Sequence, residues 1–390
     1  MIDTPLPHRT APEPLRFRSA RLARGALGLL RTCYPRFLWG FSPSGGEIPV
    51  YIFHEVESEA FRRQLERLRA GGYRTLSLDE FLCLAARKSG SSPRRCVLLT
   101  FDDARANFHH DALPALRATG AHATLFVPTL WVSAQRPAAA ERFMSWSQLR
   151  ECLGSGLVDI GSHAHRHALV YDGERLTGFA TPANLQRHDI YDWPVRHGDG
   201  GDIIGRPAAG TPVYRAAPLL AARGRYLEST AAREACVALV ERAGAAEFFA
   251  RPDCYARLLR VHAERAAAHP GRFLPEEEFQ ALVVSEFELS RAAFEANLGF
   301  APTTFAYPWS VGSPLSLRLA RRFGIRWCFG GAVDYRLSRA LARAGDGSLR
   351  VFGRVRGDWL EVLPGGGRAR VLPVLARKLC GFARQQHLAH

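Results

Sequence analysis

Apolar residues in this chain fall into two kinds of stretch. Some are short continuous runs, and others recur every three or four positions among charged residues. The first kind reads as buried strand and the second as amphipathic helix. Pro49-Val50-Tyr51-Ile52-Phe53 is a predicted strand, followed by a helix from about Glu59 to Ala70. The strand Cys96-Val97-Leu98-Leu99-Thr100-Phe101 comes next, then a helix from about Asn107 to Ala118 and the strand Ala123-Thr124-Leu125-Phe126-Val127. A helix near Ser147 to Leu153 leads to Val158-Asp159-Ile160-Gly161. Alternating strands and helices predict parallel strands covered by helices, an α/β sheet or barrel with its chemistry at the carboxyl ends of the strands.

The rhythm breaks over 171–284. Tyr171 to Pro218 is rich in Gly, Pro, Asp and His without clear periodicity, and Leu219 to Val284 is rich in Ala, Arg and Glu. This predicts an insertion, loops first and helices after. Alternation resumes with a helix from Ser285 to Asn297, the strand Thr303 to Tyr307, a helix from Pro314 to Phe323 and the strand Ile325 to Phe329. Residues 1–47 and 361–390 read as basic amphipathic ends flanking a core unit made of 48–170 and 285–360. Leu22, Ala26, Leu29 and Cys33 recur among arginines in the first, and Leu372, Leu375, Leu379 and Phe382 in the second.

Composition narrows the picture. Of 390 residues 47% are hydrophobic and 23% charged, which excludes a disordered chain. No run approaches the 18 to 20 apolar residues of a spanning helix, and the N-terminal apolar stretch is too short and too arginine-flanked for a secretory signal. The net charge of +15 favours anionic partners. An anionic membrane surface reached through the basic ends is the candidate. Nucleic acid is not, because no recognition motif and no basic stripe interleaved with aromatics is present. Eight scattered cysteines without a CxxC pair read as reduced thiols in a cytoplasmic protein, peripheral at the inner membrane face. The pattern specifies no oligomeric state.

Two places carry chemistry. Asp102 and Asp103 end a wholly apolar strand, so one can hold a metal while the other takes a proton. His163, His165 and His167 put three imidazoles into five residues at the next strand end, and His163 with His167 can chelate one cation. With Asp103 they form a His₂Asp set that leaves a position open, the arrangement of a catalytic divalent metal, with zinc the default. His54 ends the first strand. Arg354 near the last strand end is a candidate to orient a carboxylate or a substrate anion. The cluster from His188 to Trp193 in the insertion is expected to wall the site rather than bind a second metal.

These segments resemble the polysaccharide deacetylases, the NodB-homology or carbohydrate esterase family 4 group. Thr100-Phe101-Asp102-Asp103-Ala104 is similar to the first motif, Thr-Phe-Asp-Asp-Gly. His163 to His167 is similar to His-Ser/Thr-x-x-His, Phe305-Ala306-Tyr307-Pro308-Trp309-Ser310 to the third motif, and Tyr51 to Val56 to the start of one branch. The resemblance implies a distorted (β/α)₇ barrel, here with a large, mostly helical insertion. It implies a divalent metal on Asp103, His163 and His167, with Asp102 as general base removing a proton from the attacking water. It places Tyr307, Pro308 and Trp309 at the substrate, beside the positional candidate Arg354, and a backbone N–H after the third-motif aromatic at the oxyanion. The expected activity is removal of an N-acetyl group from a sugar of a polysaccharide, oligosaccharide or lipid-linked glycan. Three departures stand out. Ala104 replaces a glycine, Ala164 replaces a hydroxyl residue, and no histidine lies between Phe305 and Gln386 where the family takes its acid, for which His54, by its position and the branch resemblance, is the candidate substitute. They leave open a catalytically impaired barrel that binds a glycan or scaffolds its assembly, and a metal amidase on a non-sugar amide.

Overall fold

The structure, a computed structural model, describes residues 48–86, 95–132, 142–198, 200–331 and 349–363. Both basic ends therefore lie outside the described residues, apart from 361–363.

In chain order the first half runs β1 (Val50–Phe53), α1 (Ser58–Ala70), β2 (Arg74–Thr75), α2 (Leu78–Ala86), β3 (Cys96–Phe101), α3 (Leu113–Thr119), β4 (Ala123–Val127), α4 (Trp146–Gly154) and β5 (Val158–Ser162). A π-helical turn, Phe108–Ala112, precedes α3, so the helix expected from Asn107 opens wider than an α-helix before settling. The inserted part adds β6 (Leu169–Phe179), α5 (Pro182–Arg187), β7 (Arg196–Gly198), β8 (Gly201–Ile203), β9 (Pro212–Pro218), β10 (Tyr226–Leu227), α6 (Thr230–Ala243), α7 (Ala245–Phe249), α8 (Cys254–Ala268) and β11 (Arg272–Phe273). Then come α9 (Glu276–Leu298), β12 (Thr304–Ala306), α10 (Pro314–Arg322), β13 (Trp327–Gly331) and β14 (Arg350–Arg356).

Seven parallel strands close a ring among the described residues, in the order β1, β3, β4, β5, β12, β13, β14 and back to β1, with β2 alongside the start of β3. This is the (β/α)₇ barrel expected from the sequence. Helix starts obey local chemistry: Ser145 caps α4 and Ser313 caps α10, each in a reciprocal box with the residue three positions on.

Strand alternation divides the side chains between two cores. On β3, Val97, Leu99 and Phe101 pack outward against α1 and α3. Cys96 and Leu98 share the inner cluster with Phe126, Ala306 and Phe329. Each large side chain buried this way contributes roughly 1.5–3 kcal/mol. A further core joins Phe279, Val283 and Phe287 of α9 to Phe305, Tyr307 and Leu319.

The inserted part departs from expectation at its start. Residues 169–179 and 212–218 are strands paired antiparallel to each other, not loops. Register shifts between Tyr171 and Gly178 scramble the alternation that would have revealed them. The helices α6 to α8 then follow as expected, around Phe179, Cys236, Val240 and Phe248. Helix α9 begins at Glu276, nine positions before Ser285. Among the described residues no helix is long and apolar enough to cross a membrane.

Candidate metal centre and active site

The inner parity of three strands aims the polar groups at one point. Thr100 and then Asp102 continue the inward face of β3, and Phe352 and then Arg354 that of β14. Gly161 and His163 do the same at β5, where glycine is required: a Cβ at 161 would lie 2.6 Å from both Phe126 and Thr304.

Asp102 is buried and accepts two hydrogen bonds from Arg354, 2.6 Å from Nη1 to Oδ1 and 2.8 Å from Nη2 to Oδ2. Burial alone would raise its pKa. The Arg354 guanidinium, with smaller help from His163 and His54, overcomes that and lowers it to about 2. Asp102 is therefore a carboxylate near neutral pH.

Asp103, His163 and His167 offer ligand atoms that all lie within 4.8 Å of one another, and all three residues are buried. His163 Nδ1 lies 2.7 Å from the carbonyl oxygen of Ala306, which places the proton on Nδ1 and leaves the Nε2 lone pair facing inward. Asp103 Oδ1 stands 3.6 Å from His163 Nε2 and 3.4 Å from His167 Nε2, and it is buried without a hydrogen-bond partner. The other oxygen, Oδ2, is 3.5 Å from Arg105 Nη2. An orphaned carboxylate oxygen facing two imidazole nitrogens fits a divalent cation. Burial drives the pKa of His167 down to about 3, so its ring is neutral and able to donate a lone pair. No other group of three or more such residues occurs among the described residues.

Backbone strain concentrates here. Among the described residues the non-glycine positions with positive φ are Arg95, Asp103, Ala104, Ala164, His167, Trp309 and Ser310, and all but Arg95 surround the site. Ala104 has φ 48°, so the conformation that favours glycine is present and an alanine carries it.

The His167 ring lies between Tyr191 and Trp309, with each ring centroid 4.2 Å away. Tyr191 comes from the insertion and joins Trp131 and Phe143 in an aromatic wall. Arg105 is buried in that wall, its guanidinium 4.9 Å from the centroids of Phe143 and Tyr191, and it pairs with Asp189 at 2.7 Å. The His188–Trp193 stretch does stand beside the imidazoles. His54 is exposed at the end of β1. Asn107 fastens the segment after it by bonding both the N–H and the carbonyl of Val56 at 2.8 Å.

Two expected substrate contacts are corrected. Tyr307 is 0% exposed. It shares the outward parity of Phe305 and packs in the core between barrel and helices. Arg354 has a fully buried side chain committed to Asp102, so of its two proposed tasks it performs the orientation of a carboxylate of the protein. Pro308 is also buried, which leaves Trp309, half-buried, as the third-motif side chain beside His167. The expected oxyanion donor is not free either. Pro308 has no N–H, and that of Ser310 donates to the Tyr307 carbonyl at 2.8 Å. Sequence reasoning missed Arg105, Glu286 and Ser290. The last two were detectable as polar residues on the buried stripe Phe279, Val283, Phe287 and Phe294 of α9.

Residues 89–191 match the family model described as polysaccharide deacetylase. That segment contains Asp102, Asp103, His163 and His167. Over this segment the chain is similar to the polysaccharide deacetylases. It is 31% identical over 120 residues to the poly-β-1,6-N-acetyl-D-glucosamine N-deacetylase of Escherichia coli strain K12, covering 28% of this chain and 18% of the relative. It is 31% identical over 117 residues to the enzyme of the same name from Staphylococcus epidermidis, covering 30% and 39%. The chain thus spans well under half the length of these curated relatives. Among solved structures, the BpsB deacetylase domain from Bordetella bronchiseptica aligns over 74% of this chain and 90% of its own, with 18% identity and a TM-score of 0.47. IcaB from Ammonifex degensii aligns over 82% and 95%, with 18% identity and a TM-score of 0.46.

Proposed function

We propose that this protein is a metal-dependent N-deacetylase acting on an N-acetylated amino sugar of a polysaccharide, oligosaccharide or lipid-linked glycan. One observation carries the reading: Asp103, His163 and His167 converge in a buried site beside Asp102, which Arg354 keeps ionised. The names of the relatives favour a β-1,6-linked N-acetylglucosamine chain as the first substrate to try.

Asp103, His163 and His167 would hold the ion, with zinc favoured by two imidazoles and a carboxylate. A divalent metal bound there supplies Lewis acidity and lowers the pKa of water. Asp102 accepts the proton of the attacking water through its carboxylate. Arg354 holds that carboxylate in place, and the Trp309 ring limits where the acetyl group can lie. His54, exposed at the mouth, gives a proton to the departing amine. The free thiols of Cys96, Cys152, Cys236, Cys254 and Cys328 support action in a reducing compartment, cytoplasmic in this proposal. The charge of +15 supports a peripheral association with an anionic membrane.

The test is metal content by mass spectrometry together with acetate release from β-1,6-linked N-acetylglucosamine oligomers, on the wild type and on His163→Ala/His167→Ala. The expected result is one metal per chain and acetate from the wild type, and neither from the variant. A metal-loaded wild type that releases no acetate from these or other N-acetylated glycans would overturn the enzyme reading in favour of glycan binding.

A further inference from the structure

We propose that Glu286 is the positioning residue for His167, holding from outside the turn that carries it. The inference rests on the reading that Asp103, His163 and His167 hold a metal.

The turn from Ala164 to His167 is bent at both ends, with φ 67° at Ala164 and 47° at His167. Non-glycine residues keep such angles only where the surroundings over-determine them. Here the surroundings are identifiable peptide by peptide. The carbonyls of Ala164, His165 and Arg166 accept hydrogen bonds from Thr129 N–H at 3.2 Å, Leu130 N–H at 2.9 Å and Trp131 Nε1 at 2.7 Å. The N–H groups are held from the opposite side by α9. His165 N–H and Arg166 N–H both donate to Glu286 Oε2, at 3.1 and 2.8 Å.

The second oxygen, Oε1, accepts from Arg166 Nη1 at 2.6 Å, so each oxygen of this carboxylate is used on the turn. One helical turn further on, Ser290 Oγ lies 2.8 Å from Ser162 Oγ, which accepts the N–H of Ala164 at 3.2 Å. Residues 286 and 290 sit on one face of the helix. Ala164 has no hydroxyl to brace the turn from within. The brace comes from outside, from a carboxylate more than a hundred residues away in sequence and 1% exposed. Glu286 is 120 positions from Arg166 and touches no ligand atom, so it acts through the backbone that carries His167.

A purely structural ion pair would stabilise the fold and leave metal affinity alone. The experiment uses the full chain stripped by a chelator and titrated with cobalt(II) alone, followed by its visible absorption, with thermal unfolding of the metal-free form run alongside. Glu286→Ala is expected to bind cobalt about ten- to a hundredfold more weakly, as lost outer-shell partners do, with a changed absorption band. Glu286→Gln, which keeps an acceptor for the two N–H groups, should recover most of the loss. Folded Glu286→Ala with wild-type affinity and band overturns the proposal. Where Glu286→Ala does not fold, Glu286→Asp decides: it keeps the charge one methylene short of the turn, so weaker binding supports the proposal and unchanged binding overturns it. A wild type that takes up no cobalt overturns the metal reading and this proposal together, whereas an effect missing only in the variants overturns the proposal alone.

Discussion

Arg354 and Asp102 face each other across the mouth of the barrel with two parallel hydrogen bonds, 2.6 and 2.8 Å long, and neither side chain reaches solvent. The pair joins the last strand of the ring to the strand that leads into Asp102 and Asp103. Removing the arginine leaves a buried carboxylate without its counter-charge. Arg354→Met should cost about 3–5 kcal/mol of stability in urea unfolding. The acid limb of kcat/KM against pH should move upward, because burial would then dominate the pKa of Asp102. Arg354→Lys keeps a charge but not the fork, and should fall between the two.

The metal-free protein should weaken on acidification in a definite window. His167 has its pKa lowered to about 3, and burial lowers that of His262 as well. Unfolded imidazoles take up protons near pH 6.5 that the folded chain refuses. For His167 stability is therefore full above about pH 6.5 and falls as pH drops toward 3, at up to about 1.4 kcal/mol per pH unit, and His262 adds a loss of the same sign. Asp102, lowered to about 2, adds a further loss from about pH 4 downward. Asp159, raised by burial, works in the opposite sense over the carboxylate range. Urea midpoints at pH 7, 5 and 4 check the slope, which should flatten in His167→Asn.

Ala104 carries φ 48° with its methyl group packed in the core. Ala104→Gly relieves the strained angle and loses the methyl contacts. The net change in stability should be a gain of no more than about 1 kcal/mol, with turnover retained. A loss of more than that in thermal unfolding would mean that the methyl packing outweighs the strain.

Asp189 fixes the aromatic wall by pairing with Arg105 at 2.7 Å and with Arg142 at 3.2 Å. Asp189→Ala should leave the imidazoles and Asp102 in place while loosening Tyr191 over them. Steady-state kinetics should then show KM raised severalfold and kcat changed less. An equal fall in kcat with KM unchanged would instead tie Asp189 to the chemical step.

The barrel was legible because its strands are continuous apolar runs, and strand ends such as Asp102, Asp103 and His163 announce where the chemistry lies. Side-chain direction was harder. Tyr307 reads as a motif residue, yet its parity with Phe305 turns it away from the barrel interior. Arg354 shares parity with Phe352, and only the closure of β14 onto β1 brings it to Asp102. Glu286 and Ser290 stand out as polar residues on a buried stripe, but what they hold is readable only once the neighbour across the gap is known. The strand pair of residues 169–179 and 212–218 escaped because bulges broke its period.

Helix α9 shares one hydrophobic core with Leu219, Leu220 and Ala222 of the insertion through Phe279 and Val283, while further along it sets Phe287 on Phe305 and Phe294 on Trp146. It works as one rod gripped at both ends. A single residue added or deleted between the grips would turn one end by about 100° relative to the other. The rod therefore tolerates substitution on its exposed face but not a change in length. Any exchange of this insertion between relatives has to be spliced at whole-helix boundaries, with the spacing from Phe279 to Ser290 kept intact.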